Sequence, residues 1–227
     1  MDLMLISIII PALNEEKFIA EVLEHTLKLP GHFEIVLVDG GSSDNTLRIA
    51  QGFKTINLLQ SKKGRARQMN YGAKHAQGDV LLFLHADTFL PKTFYNDILT
   101  LMQNPKVTGG SFRLKMNDSH PIFKFYHWCS QFAFEFFTYG DHAIFINSEI
   151  FKRINGFKNI NFMEDVEIQG RIRKQGQFKK LKSSVQTSSR RFAKNGVIKQ
   201  LVVDTLLVFF FKNGISASRL KRFYPDN

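Results

Sequence analysis

Residues 6–10 form an isoleucine-rich run, the pattern of a strand buried on both faces. Asn14 follows as a predicted helix cap, with Glu15 and Glu16 in the first turn, where carboxylates complement the helix dipole. Phe18, Ile19, Val22, Leu23, Thr26 and Leu27 then recur at helical spacing. The same strand–turn–helix unit repeats. Residues 35–38 read as a second strand, 39–44 as the turn Asp-Gly-Gly-Ser-Ser-Asp, and the segment through Ile49 as a short helix. Residues 56–59 give a third strand, 65–76 a helix rich in small residues, and 80–84 a fourth strand that ends abruptly at His85-Ala86-Asp87.

Strands alternating with helices predict an α/β fold, with a ligand crevice at the strands' carboxyl ends. The site is therefore expected near residues 11–15, 39–44 and 85–88. Beyond Pro91, which suits the first turn of a helix running to Met102, the alternation breaks down. Residues 107–116 read as a strand with an irregularity at Gly109-Gly110, 143–146 as a short strand, and 148–155 and 164–175 as helices. Two apolar segments stand apart. One is the aromatic stretch 123–139, and the other is the helix-like stretch 197–211, which Asp204 interrupts. Neither reaches the roughly 18 uninterrupted apolar residues that span a bilayer. Either could pack as core and lid, lie on a membrane surface, or pair with a second copy to give a homodimer.

The 227 residues suit one α/β domain with a short appendage rather than two full domains. The lone Cys129 cannot close an intramolecular disulfide, so a reducing, cytoplasmic setting is expected. No basic region precedes the first apolar run, which therefore lacks the form of a signal peptide. The net charge of +11 admits nucleic acid, an anionic membrane surface or a phosphorylated substrate. The charges are scattered and no nucleic-acid-binding motif accompanies them, which leaves membrane and phosphate.

Four groups of residues can carry chemistry. Asp39, just past a strand, can accept hydrogen bonds from a base edge or ribose, or it can simply cap the Gly-Gly-Ser turn. Asp87 is placed to hold Mg2+ or Mn2+ against phosphate oxygens, with His85 as a second ligand or as a structural histidine. Arg65 and Arg67, with Lys62 and Lys63, cluster at a helix start, where cations and the helix N-terminus favour a diphosphate; a solvated basic turn is the plain alternative. Glu164 and Asp165 open another helix. Adjacent helical residues point apart, so only one of them, taken as Asp165, can readily face a substrate, and dipole complementation is the competing explanation.

The stretches Ser7-Ile-Ile-Ile-Pro-Ala-Leu-Asn-Glu15, Val36-Leu-Val-Asp-Gly-Gly-Ser-Ser-Asp-Asn-Thr46 and Gly78-Asp-Val-Leu-Leu-Phe-Leu-His-Ala-Asp87 resemble, in order and spacing, the family 2 glycosyltransferases. Gly156-Phe157 and Glu164-Asp165 continue the match, which covers roughly the first three quarters of the chain. This resemblance implies a GT-A fold, a Rossmann-like, mixed but mainly parallel sheet flanked by helices, with a C-terminal helical appendage. It divides the chain into a catalytic domain, 1–192, and an appendage, 193–227. Residues 1–104 would bind the nucleotide sugar and 105–192 would form the acceptor side.

The resemblance further implies an inverting transfer from a nucleotide diphosphate sugar, taken as a UDP-sugar, to an acceptor hydroxyl. Asp165 would be the general base, with Glu164 beside it. Pro11, Leu13, Asn14, Glu15, Asp39, Gly40, Ser42, Arg65, Gln68, His85, Ala86, Asp87, Arg190 and Arg191 are the implied donor-site residues. The family's Asp-x-Asp metal motif stands here as His85-Ala86-Asp87, retaining only its second carboxylate. That tripeptide, with Gly64-Arg-Ala-Arg-Gln-Met-Asn70, Ser189-Arg-Arg-Phe192 and Gly214-Ile-Ser-Ala-Ser-Arg-Leu220, looks like the bacterial subgroup labelled arsenosugar-biosynthesis-type. Two other readings remain: a polyprenyl-phosphate glycosyltransferase, peripheral on the inner membrane face with a lipid-linked acceptor, and an inactive nucleotide-binding scaffold.

Overall fold

The computed structural model describes residues 4–118, 123, 127, 128, 131, 140–160 and 162–224, with the backbone alone at Arg191, Ala193 and Lys194. Strands β1 (Ile6–Ala12), β2 (Phe33–Asp39), β3 (Asn57–Gln60) and β4 (Val80–Phe83) alternate with helices α1 (Ile19–Leu27), α2 (Thr46–Gln51) and α3 (Arg65–His75). There follow β5 (Thr88–Phe89), α4 (Phe94–Met102), β6 (Val107–Met116), β7 (Ile144–Asn147), α5 (Ser148–Arg153), α6 (Glu164–Arg173) and β8 (Gln177–Thr187). The chain ends in α7 (Arg190–Asn195), α8 (Val197–Lys212) and α9 (Ala217–Lys221). All strands join one 8-stranded sheet in the order β3-β2-β1-β4-β7-β6-β8-β5. It is mixed but mainly parallel: β7 runs against both β4 and β6, and β5 against β8, while the other pairs are parallel.

The pleat explains why β1 is apolar throughout. Ile6, Ile8 and Ile10 point to one face, where they meet Ile19, Val22 and Leu23 of α1. Ile9 points to the other, with Val36 and Val38, against Ala66 and Met69 of α3. Helix α3 lies close to the sheet because position 72 is glycine: a Cβ there would come within 2.6 Å of Ile9 Cγ2 and 3.0 Å of Val38 Cγ2. At the expected Gly109-Gly110 irregularity, register shifts fall on either side of the pair. A Cβ on Gly110 would stand 2.2 Å from the Lys179 carbonyl oxygen, so strand pairing itself demands the glycine.

Two sequence expectations are corrected, and two strands were not anticipated. Asn14 does not cap α1. It takes a left-handed φ of 55° and its carboxamide accepts the Ser43 amide at 2.8 Å, so it ties the first βα turn to the second, and the helix begins only at Ile19. The helix after Pro91 starts at Phe94, following a turn closed by the Phe94 amide on the Pro91 carbonyl at 3.0 Å. Strands β8 and β5 escape the apolar pattern altogether. β8, QFKKLKSSVQT, carries polar residues on both faces, and pairing along the whole of β6 is what makes it a strand.

The carboxyl-terminal helices anchor through Leu207, Val208 and Leu220, which pack on Met163 and Val166 at the start of α6. Among the described residues no helix is long and apolar enough to cross a membrane. Most of the aromatic stretch 123–139, and Cys129 with it, lies outside the described residues. Phe123 is buried edge-on against Phe192, with ring centroids 5.3 Å apart.

Candidate active site

Strands that run the same way leave their carboxyl ends on one rim of the sheet, and a cleft of about 550 Å3 opens there. Pro11, Ala12 and Leu13 line it from the end of β1, and His85, Ala86 and Asp87 from just past β4. Met116 and Thr187 mark the ends of β6 and β8. This is the crevice the alternating pattern predicts.

Two guanidinium groups dominate its walls. Arg190, at the start of α7, donates from Nη1 and Nη2 to the two Glu15 carboxylate oxygens at 2.9 and 2.8 Å, and Nη2 lies 3.2 Å from Asp87 Oδ2. Its guanidinium also stacks 4.8 Å above the Phe18 ring. The bond to Glu15, ahead of the attraction of Asp87, holds Arg190 more firmly protonated than a free arginine. Arg65, at the start of α3, donates from Nε to Glu164 and places Nη2 3.9 Å from Asp165 Oδ2. Its Nη1 is 3.5 Å from His85 Nε2. Burial opposes the Arg65 charge, but Glu164 and Asp165 outweigh it and raise its pKa above the ordinary arginine value.

The predicted site residues divide among three places. Pro11, Leu13, Glu15, Arg65, Gln68, His85, Ala86, Asp87 and Arg190 line the cleft together. Asp165 is buried beside it in a small apolar recess shared with Arg65 and His85, and Glu164 is buried with it. Asn14, Asp39, Gly40 and Ser42 do not line the cleft. The Asp39 carboxylate accepts the Gly41 and Ser42 amides at 2.9 and 3.0 Å, together with the Ser42 hydroxyl, so in this structure it does the work of a turn cap. Gly40 leaves room for Gln68, whose amide would stand 2.9 Å from a Cβ there. Gln68 in turn donates to the Ala12 and Val38 carbonyls at 2.8 and 2.9 Å, clamping the ends of β1 and β2. The Arg191 side chain lies outside the described residues.

Sequence reasoning missed Asp141, which lines the cleft next to a buried basic group. Asp141 Oδ1 is 3.9 Å from His142 Nε2, and Lys180 Nζ is 3.0 Å from His142 Nδ1. Burial first, and the neighbouring cation second, push the His142 pKa well below the ordinary value, and burial does the same to Lys180. No motif announced this group, since Lys180 reaches Asp141 and His142 from a separate element, β8.

Among the described residues, no three His, Cys, Asp or Glu side chains converge on a metal-sized site. His85 and Asp87 do face one cleft, and a hard divalent cation needs mainly oxygen ligands, which a diphosphate can supply. The pair fits such a cation in company with phosphate, and Arg190 must then share Asp87.

A cleft at parallel strand ends, walled by two arginines around a carboxylate and backed by an acidic pair, is the ligand crevice of an open α/β domain. The chain belongs to glycosyl transferase family 2, whose model matches residues 7–180. It is similar to the poly(ribitol-phosphate) beta-N-acetylglucosaminyltransferase TarS of Staphylococcus aureus, at 33% identity over 104 residues, covering 42% of this chain and 18% of that one. It is also similar to the undecaprenyl-phosphate 4-deoxy-4-formamido-L-arabinose transferase of Proteus mirabilis, at 32% identity over 93 residues, covering 36% and 28%. The chain thus spans under a third of either relative. In fold, it matches TarS residues 1–349 in complex with UDP-GlcNAc at a TM-score of 0.67, with 21% identity over 82% of this chain and 58% of that one. The mannosyltransferase PcManGT of Pyrobaculum calidifontis, in complex with GDP-Man and Mn2+, gives 0.68, with 18% identity over 93% and 65%. The mixed sheet is therefore the GT-A sheet.

Proposed function

We propose that the chain transfers a sugar from a nucleotide diphosphate sugar to an acceptor hydroxyl with inversion, residues 1–192 forming the catalytic domain and 193–227 the appendage. The observation that carries this reading is the pairing of the Arg65 and Arg190 guanidiniums with Asp165, Glu164, Glu15 and Asp87 around one cleft. A diphosphate competes well for both arginines, because charge-assisted bonds to phosphate match those to carboxylate. Once Arg65 turns to the diphosphate, the Asp165 carboxylate is uncovered toward the acceptor. Asp165 then takes the hydroxyl proton, the acceptor oxygen attacks the anomeric carbon, and the bond to the diphosphate oxygen breaks with its electron pair leaving on the diphosphate. Arg65 and Arg190 stabilise that departing charge. Asp87 and His85 would hold Mg2+ or Mn2+, which supplies further charge neutralisation when bound.

UDP is the proposed nucleotide, supported by the UDP-GlcNAc complex of TarS. The similarity to an undecaprenyl-phosphate transferase supports a second reading of the acceptor as lipid-linked. Lys221 of α9 reaches the cleft and offers a cation to such an acceptor's phosphate.

Calorimetric titration with UDP, GDP and dTDP, with and without Mn2+, tests the donor site. Metal-dependent binding of one nucleotide, lost in Asp87→Ala, is the expected result. Failure of every nucleotide to bind under both conditions would turn the reading to an inactive scaffold.

A further inference from the structure

Helix α8 carries large apolar residues on its outer face as well as its inner one, whereas a helix packed on one side of a soluble domain is ordinarily polar on the other. Its inner face is accounted for by Leu207 and Val208, which are buried against Met163, Val166 and Leu220. Its outer face is not. Ile198, Val202, Leu206 and Phe209 fall on one stripe at helical spacing, 66%, 52%, 47% and 49% exposed, with Phe210 alongside at 40%. Lys199 and Lys212 border this stripe, and both are exposed. After the turn at Gly214, α9 and the residues following it add Arg219, Lys221, Arg222 and the exposed Phe223. The only carboxylate in the two helices is Asp204, which is half-buried and accepts from Gln200 Nε2 at 2.7 Å.

We propose that the outer face of α8 docks on an anionic lipid bilayer, inserting Ile198, Val202, Leu206 and Phe209 among the acyl chains while the flanking lysines and arginines meet lipid phosphates. An exposed apolar stripe edged by cations, on a helix too short to span, is the pattern of a helix lying in the interface plane. The charge selects the bilayer over a second copy of the chain, because two copies joined at this face would bring basic borders, on chains of net charge +11, against each other. The placement agrees: Lys221 belongs to the same hairpin and also lines the cleft, so docking sets the cleft mouth beside the lipid phosphates. In this respect the inference rests on the lipid-linked acceptor reading, and it names the surface by which that acceptor would be met.

Co-sedimentation of the full chain with phosphatidylcholine vesicles, with and without phosphatidylglycerol, tests the proposal. The chain should pellet with the anionic vesicles, stay in solution with the neutral ones, and be released by raised salt. Phe209→Asp should lower partitioning at least tenfold, and Lys199→Glu roughly fivefold. Phe209→Ser, melting as the wild type does, guards against a folding defect. UDP titration should be unchanged in all three, since none of these residues lines the cleft. Absence of binding to anionic vesicles overturns the proposal, as does binding that survives Phe209→Asp. A concentration-dependent dimer that Phe209→Asp dissolves, without vesicle binding, overturns it in favour of a second copy. Vesicle binding without nucleotide binding defeats the proposed activity and leaves the docking surface standing, and the reverse result does the opposite.

Discussion

Arg190 bridges two carboxylates that lie far apart in the chain, gripping Glu15 with both terminal nitrogens at 2.8 and 2.9 Å and reaching Asp87 at 3.2 Å. In the proposed reaction the guanidinium supplies positive charge to the leaving diphosphate, and it is already desolvated on its Phe18 side. Arg190→Ala is expected to weaken nucleotide diphosphate binding by roughly 10- to 100-fold, the worth of lost charge-assisted bonds. Stability should fall by under about 1 kcal/mol, because the pair is half-exposed. Calorimetry and urea unfolding read the two quantities, and unchanged affinity would remove Arg190 from the donor site.

Asp165 is covered by Arg65, at 3.9 Å, and has its Oδ1 engaged by the Val166 amide at 2.9 Å. The group is buried and faces a cation that, in the proposed reaction, the donor draws away. Asp165→Asn should lower turnover by about 10²- to 10⁴-fold while leaving UDP affinity within a small factor. Turnover at the wild-type rate would assign the base elsewhere.

Gly72 sits where α3 crosses β1 and β2, and an added methyl would stand 2.6 Å from Ile9 Cγ2. Replacing glycine by alanine ordinarily stabilises a helix by up to about 1 kcal/mol. Overpacking at this contact costs about 1–3 kcal/mol, so Gly72→Ala should be destabilising on balance. The urea midpoint measures it, and a raised midpoint would show that the helix can move off the sheet freely.

His142 is fully buried, with a folded pKa well below its ordinary 6.5, and it faces Lys180, Asp141, His85 and the Phe112 carbonyl. Below that ordinary value the unfolded chain takes up a proton that the folded chain refuses. Stability should therefore decline as pH falls through about 6.5, by up to ~1.4 kcal/mol per pH unit from this group. The decline begins above the range in which carboxylates such as Glu167, held below its usual value, start to titrate. Chemical unfolding between neutral pH and pH about 5 should show a steeper slope in the wild type than in His142→Asn, which keeps whatever Lys180 contributes.

Local pattern carried the amino-terminal half because β1, β2 and β4 are buried on both faces and most turns bear their own signal. The isoleucines of β1, the Asp39 turn and the abrupt stop after β4 could be read without knowing any neighbour. The second half was less legible. β8 has no clean alternation, and its identity as a strand comes from β6 alongside it. Asn14 shows the same limit on a smaller scale: its residue type fits a cap, yet the nearby Ser43 amide claims its side chain.

The sequence by itself determined the α/β alternation and the rim on which a ligand cleft must form, because periodicity and turn chemistry act over a few neighbouring positions, and with the family resemblance it named about half of the residues that line the cleft. Tertiary structure alone decided which charges meet. Glu15 and Arg190 are 175 positions apart and Arg65 and Glu164 are 99 apart, yet each pair closes an ion contact. The approach of Lys180 to Asp141 and His142 has the same origin. Such contacts arise only when distant elements pack, and no local propensity encodes the direction in which a charged side chain then finds its partner.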